Sequence, residues 1–315
     1  MLQVILRRLV FLIPLLFGLT LLTFLAMHLI PGDLAVLLIG PDGVQDPETL
    51  ANIRREYGLD RPLVYQYGVW LGKVVQGDFG ESLRLHVPVL GEILRRLPVT
   101  VELTVLSMIY AILLGGVIGI LAALRGRWWA LIGRGFTILG VAVPNFFVGT
   151  LLILLGARYL PFIPTLQYVS FTDNPGRHLL GMIYPVLALG TGLAAVIAEN
   201  TRAAVAETMS LEHVQVGRAK GLAERSVVAR HILRNALIPL ITIIGVQAAY
   251  LLGGTIIVES IFALPGLGRL ALSAVNLRDY PLMQGIVVVV ATMVLLANLL
   301  ADVTYALVDP RIRVE

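Results

Sequence analysis

Thr201–Pro239 reads TRAAVAETMSLEHVQVGRAKGLAERSVVARHILRNALIP, a polar, basic interval set between long apolar runs. It carries Arg202, Arg218, Lys220, Arg225, Arg230 and Arg234 against Glu207, Glu212 and Glu224. Ala, Leu, Arg, Lys and Glu dominate it, which favours helix. Gly217 and Gly221 stand four apart, with Ala219 between them and Ala223 just beyond. Small side chains at that spacing fall on one helix face and let another surface approach closely. The spacing predicts a short docking helix over Gln215, Val216, Gly217, Arg218, Ala219, Lys220, Gly221, Leu222 and Ala223. An ordinary loop whose positive charges only set membrane topology fits the same spacing.

The flanking composition says what kind of protein presents this interval. The chain has 315 residues, 57% hydrophobic and 14% charged. Its apolar residues come in runs long enough to cross a bilayer, so it is a polytopic membrane protein. A net charge of +4 does not point to nucleic acid. The basic residues sit beside apolar runs, where anionic lipid and the positive-inside bias account for them. With no cysteine, disulfides, thiolate metal sites and cysteine nucleophiles are excluded.

Six spans are predicted, about 9–30, 99–124, 131–155, 179–198, 237–258 and 284–307. The first run is too long for a signal-peptide core and lacks a small-residue cleavage site, so it reads as a retained helix. Residues 1–98 form the first helix plus an outer segment. Residues 99–308 form a core of five helices, with the polar loop at about 201–236. Both termini lie inside, because the short loops on that side hold most of the Lys and Arg. In the outer segment a helix is expected over 47–57, capped by Asp46. Tyr65, Tyr67 and Trp70 suit either an interfacial anchor or packing within a small folded cap.

Polar groups inside apolar runs are costly. Glu102, Glu199 and Asp302 lie near span ends, within reach of headgroup water. Pro144 and Asn145 lie mid-span, where the proline frees a carbonyl and kinks the helix. Pro144, Asn145, Gln247 and Asn298 are therefore candidates for a translocation path, and a helix–helix hydrogen bond is the alternative for Asn145. Gly115, Gly116 and Gly119 suit close helix packing. There is no G-x-x-x-x-G-K-[ST] loop, no H-E-x-x-H and no G-x-S-x-G. No catalytic residue, metal ligand or bound cofactor is therefore expected.

RAKGLAERSVVARHILRNALIP (Arg218–Pro239) resembles the cytoplasmic loop of ABC-importer permeases of the dipeptide, oligopeptide and nickel class. In that family the loop forms a coupling helix seated in a groove of the ATPase subunit. Gly221 matches the glycine of the general E-A-A…G signature. Gln215-Val216-Gly217 stands where E-A-A would be, and His231-Ile232-Leu233-Arg234 where I-x-L-P would be. Further resemblance runs through IPGD (Ile30–Asp33), GLDRPLVYQYGVWL (Gly58–Leu71), GDFGESL (Gly77–Leu83) and RLPVTVELT (Arg96–Thr104). It continues in VESIFALPGLGRLALSAVNLRDYPLMQG (Val258–Gly285) and NLLADVTYALVDPRIR (Asn298–Arg313).

The resemblance implies an all-α membrane protein with six transmembrane helices and the type I ABC importer permease fold. Both termini would be cytoplasmic, and a long extracytoplasmic segment would follow the first helix. It implies a bacterial inner-membrane location and alternating access. The implied partners are a second homologous permease in a heterodimer, two ABC ATPases holding ATP and Mg, an extracytoplasmic substrate-binding protein and membrane lipid. Peptides are the implied cargo, with nickel chelates, glutathione or other small solutes as alternatives. An ion-coupled secondary transporter would need an ion site and, usually, inverted repeats, and neither is visible. On this reading a bulky side chain at Gly221 should uncouple transport without harming the fold.

Overall fold

The computed structural model describes residues 2–29, 36, 47–56, 58–160 and 168–308. Ile30–Asp33, Asp46 and the tail from residue 309 lie outside them. The described residues are all-helical and hold no strand, only an isolated bridge between Glu81 and Pro88. The helices are α1 (Leu2–Leu29), α2 (Pro47–Glu56), α3 (Leu63–Val75), α4 (Val89–Leu124), α5 (Gly126–Ala142) and α6 (Asn145–Tyr159). There follow α7 (Pro175–Met209), α8 (Glu212–Ala219), α9 (Arg234–Ile261), α10 (Leu267–Leu277) and α11 (Tyr280–Val308). Five are long and apolar enough to cross a membrane, or six if the bent pair α5–α6 is one span.

The chain divides into two compact units. One comprises Met1–Ile5, Pro98–Arg269 and Met293–Glu315, and the other Leu6–Leu97 and Leu270–Thr292. The first is built around α7. In the most apolar window of α7, 56% of the residues are buried, against 22–28% in the other four long helices. Small residues explain its central place. A Cβ on Gly119 of α4 would lie 2.5 Å from the Ala198 carbonyl, and one on Gly115 would strike the Ala194 carbonyl. A Cβ on Gly140 of α5 would lie 2.5 Å from that of Ala195. These glycines let three backbones approach closely, as membrane helices require when lipid is as apolar as their own side chains. Gly116 faces open space and takes no part.

Between α5 and α6 the structure corrects the expected kinked third span. The two helices are bent by 100°. Val143 (φ −85, ψ 120) and Pro144 (φ −64, ψ 141) are both extended, so the helix stops and restarts. Proline disfavours the helical conformation in the residue before it, and each half is then held separately. Gly140 packs on α7, and Gly149 packs under Phe262 and Ala188. Pro98 behaves differently. It lies inside α4, which begins at Val89 rather than after the proline.

The second unit has its own contacts. Tyr67 of α3 is buried and edges onto Phe17 and Phe24 of α1. Its hydroxyl lies 2.9 Å from that of Thr20. Of the two roles open to the aromatics, Tyr67 takes packing, while Tyr65 stays exposed under Arg61. Glu92, also buried, pairs with Arg95 and Arg96.

Candidate functional site

The polar interval does not start at a span end, because α7 runs through it as far as Met209. After Ser210 and Leu211 comes α8, whose Val214 and Gly217 are buried. Val214 joins Ala204, Val205, Val227, Ile232 and Ala236 in a small apolar core that fixes α8 to α7 and α9. The opposite face presents Gln215, Val216, Arg218 and Ala219 to the outside.

Gly217 and Gly221 do not share a helix face. The helix ends at Ala219, and Gly221 sits beyond it at φ +75. The Leu222 N–H donates to the Gly217 carbonyl (3.2 Å) and the Gly221 N–H to that of Arg218 (2.9 Å). This pair of bonds is the Schellman helix stop, in which the left-handed residue is normally glycine. Leu222 closes the motif over Gly217, its Cδ1 3.6 Å from where a Cβ there would be. Gly221 therefore terminates the helix, and Gly217 is covered from within. What remains outside is half-exposed Val216 and Leu222 ringed by Arg218 and Lys220.

Arg218 is bound to Glu224 by two hydrogen bonds, of 2.6 and 3.2 Å, across the turn. The guanidinium holds that carboxyl below its ordinary range. A helical turn over Glu224–Ser226 leads into a seven-residue π-helix, Val227–Leu233, and then α9. Asn235 Nδ2 donates to the His231 carbonyl (2.7 Å) and to His213 Nε2 (3.2 Å), tying α8 to the root of α9. π-helical turns are rare and cluster at functional positions.

The pathway candidates are not brought together as a group. Pro144 is the exposed residue that precedes α6, and Asn145 is its half-buried first residue. Asn145 Oδ1 lies 3.0 Å from where a Cβ on Gly192 would be, so it packs over α7. Gln247 lies half-buried on α9 and Asn298 half-buried on α11. Among the described residues no hydrogen bond joins any of these to another. Glu199 pairs with Arg202 one turn on. Glu102 is engaged more deeply than a span-end carboxylate: the ring of buried His178 is hydrogen-bonded to it through Nε2 at 2.6 Å and to the Val169 carbonyl through Nδ1 at 2.8 Å. Among the described residues no three His, Asp or Glu side chains converge as a metal site would require.

Two fully buried carboxyls escaped the sequence reading. Glu259 accepts from the Thr100 hydroxyl (2.7 Å) and the Arg269 N–H (3.0 Å). Asp279 accepts from the Ser82 hydroxyl and from the N–H groups of Leu83, Arg84 and Leu282. Asp279 carried a legible signal, since Asp followed by Tyr-Pro reads as an N-cap with proline in the first turn. Glu259 lies one residue past the expected end of the fifth span, where a carboxylate reads as an ordinary loop charge.

The chain matches the family described as "Binding-protein-dependent transport system inner membrane component" over residues 115–314. Residues 1–104 match the N-terminal domain of the same membrane components. It is 40% identical to the glutathione transport system permease protein GsiC of Escherichia coli K12, over 99% of both chains. It is 41% identical, with the same coverage, to GsiC of Salmonella typhi. A crystal structure of an amino acid ABC transporter with histidines aligns at 19% identity and TM-score 0.49, over 70% of this chain and 94% of its own. Helices built to cross a membrane, no nucleotide-binding loop, and a matched family spanning most of the chain converge: the protein belongs to the binding-protein-dependent transport system inner-membrane components, the permease subunits of ABC importers.

Proposed function

We propose that this chain forms half of the pathway by which an ABC importer carries short peptides, glutathione among them, across the bacterial inner membrane. The observation that carries the reading is the full-length similarity to permeases of glutathione transport, glutathione being itself a tripeptide. A second homologous permease completes the pathway as a heterodimer. An extracytoplasmic binding protein delivers the substrate, and two ATPase subunits hold ATP and Mg.

In this reading both termini and α8 lie in the cytoplasm, and the segment between α1 and α4 lies on the extracytoplasmic side. The outward face of α8 and of the turn that ends it, centred on Val216 and Leu222 with Arg218 and Lys220 around them, enters a groove on one ATPase. That surface has the composition of an anchor, apolar at its centre and polar at its rim. The core beneath it holds α8 to α7 and α9, so that closure of the ATPases is felt by both long helices. Pro144 and Asn145, at the break between α5 and α6, with Gln247 and Asn298, are placed along the path.

Reconstitution with the sister permease, ATPases and binding protein tests this. Labelled glutathione or a dipeptide should accumulate in proteoliposomes only with ATP and binding protein, and ionophores should not abolish uptake. Uptake that needs an ion gradient but no ATP would overturn the transport mechanism. ATP-driven uptake restricted to nickel chelates or another solute would overturn the peptide assignment alone.

A further inference from the structure

The amino end of α10 is capped by groups from other helices. The Leu267 N–H donates to Thr100 Oγ1 at 2.8 Å, and the Thr100 hydroxyl of α4 in turn donates to Glu259 Oε1 at 2.7 Å. The Arg269 N–H reaches Glu259 Oε2 at 3.0 Å. Two first-turn donors that a helix leaves unpaired are thus satisfied by α9 and α4. No cation is bonded to the Glu259 carboxyl among the described residues, and no part of Glu259 is exposed. An unpaired buried carboxyl is tolerated only where hydrogen bonds replace its water, so α10 and Glu259 each need the other in place.

The chain around this contact is built to hold it. The left-handed stop after α9 falls on Ala263 (φ 55), with the Leu264 N–H donating to the Glu259 carbonyl at 2.8 Å. Arg269 Nη1 then donates back to the Ala263 carbonyl at 2.7 Å. Gly266 leaves the space that the Glu259 carboxyl fills, and Gly268 lies against the backbone of Ile256. The α9–α10 corner is therefore a closed hook. At its other end α9 begins directly after the π-helix, and its second residue, Asn235, is bonded to His213 of α8.

We propose that Glu259 is a positioning residue for transport: it fixes the first turn of α10, Leu267–Arg269, to the end of α9, so that displacement of α8 is delivered at the far end of α9 as movement of that turn. The 28 residues of α9 reach about 42 Å at the helical rise, so one helix links the two ends. This rests on the docking of α8 described above.

The absence of cysteine allows a direct test. A single Leu272→Cys reporter on the exposed face of α10 is placed in the reconstituted importer. Maleimide labelling is timed at rest and in the ATP–vanadate-trapped state, beside ATPase rate and glutathione uptake. The reporter should change labelling rate several-fold between the states. Glu259→Leu, which keeps the bulk and removes both acceptors of the α10 contact, should abolish that change. It should also lower uptake per ATP at least fivefold, with ATPase turnover within twofold of the parent. Thr100→Val, which keeps the bond to Arg269, should fall between the two, and it decides the matter if Glu259→Leu does not fold. Unchanged labelling shift and coupling ratio in these variants would overturn the proposal. So would ATPase and uptake falling together in proportion to folded protein, the mark of a merely structural role. A parent importer without ATP-driven uptake would overturn the transport reading itself, and this inference with it.

Discussion

Val216 is the side chain on which the proposed docking of α8 is most cleanly tested. It stands on the outward face with 50% of its surface exposed, while its neighbours Val214 and Gly217 serve the internal core. Val216→Ala removes two carbons, each worth about 0.8 kcal/mol on full burial. Half of that burial remains to be gained on docking, so the loss is about 0.8 kcal/mol, roughly fourfold in Kd. The fold should barely register the change, because alanine is the better helix former by about 0.5 kcal/mol. Val216→Asp instead puts an unpaired carboxylate into an apolar groove, at a cost of several kcal/mol, roughly a hundredfold or more in affinity. The assay titrates purified ATPase subunit against permease in nanodiscs and reads nucleotide hydrolysis. Val216→Asp that binds the ATPase within twofold of the parent would refute α8 as the docking element.

Gly221 is a poor site for that test, since at φ +75 any side chain strains the turn: Gly221→Trp should lose the turn as well as the coupling, and Gly221→Ala should cost about 1 kcal/mol in thermal unfolding. Ala263→Gly should do the reverse, raising stability by about 0.5–1 kcal/mol as relief of the left-handed strain outweighs the added chain entropy. Gly119→Leu meets the Ala198 carbonyl and Thr201 and should destabilise by 3 kcal/mol or more, read as loss of monodisperse protein on size exclusion, since overpacking by a few carbons alone costs about 1–3. Asp279→Ala strands the donors of Ser82, Leu83, Arg84 and Leu282 and should cost about 1–3 kcal/mol in thermal melts for the unmet hydrogen bonds.

The apolar runs located the long helices, because a run long enough to cross a bilayer has few other stable forms. Their ends were less legible. Pro98 and Pro144 present the same residue to the reader, yet α4 runs through one and the chain turns 100° at the other. The difference lies in the surroundings. Val99, Thr100 and Leu103 are buried immediately after Pro98, whereas the segments flanking Pro144 pack separately through Gly140 and Gly149. Within the stretch expected as one helix, Gln215–Ala223, the helix runs only to Ala219, and the two glycines do not share a face. A glycine spacing of four looks the same whether both lie in one helix or the second ends it, and only the left-handed φ of Gly221 separates the cases. Glu259 and Asp279 were obscured for a related reason: their partners, Thr100 and Ser82, lie 159 and 197 residues away. Nothing local announces such a pair.

The central claim is that α8 receives the driving force from an ATPase on the cytoplasmic side. Since the chain has no cysteine, Ala219→Cys on the outward face of α8 gives a single reactive group. In inside-out vesicles carrying the assembled importer, a short bis-maleimide should join this cysteine to a cysteine placed in the ATPase groove, and ATPase competitor lacking that cysteine should suppress the product. A cysteine that forms no such product, and that an impermeant maleimide reaches only in right-side-out cells, would contradict the claim.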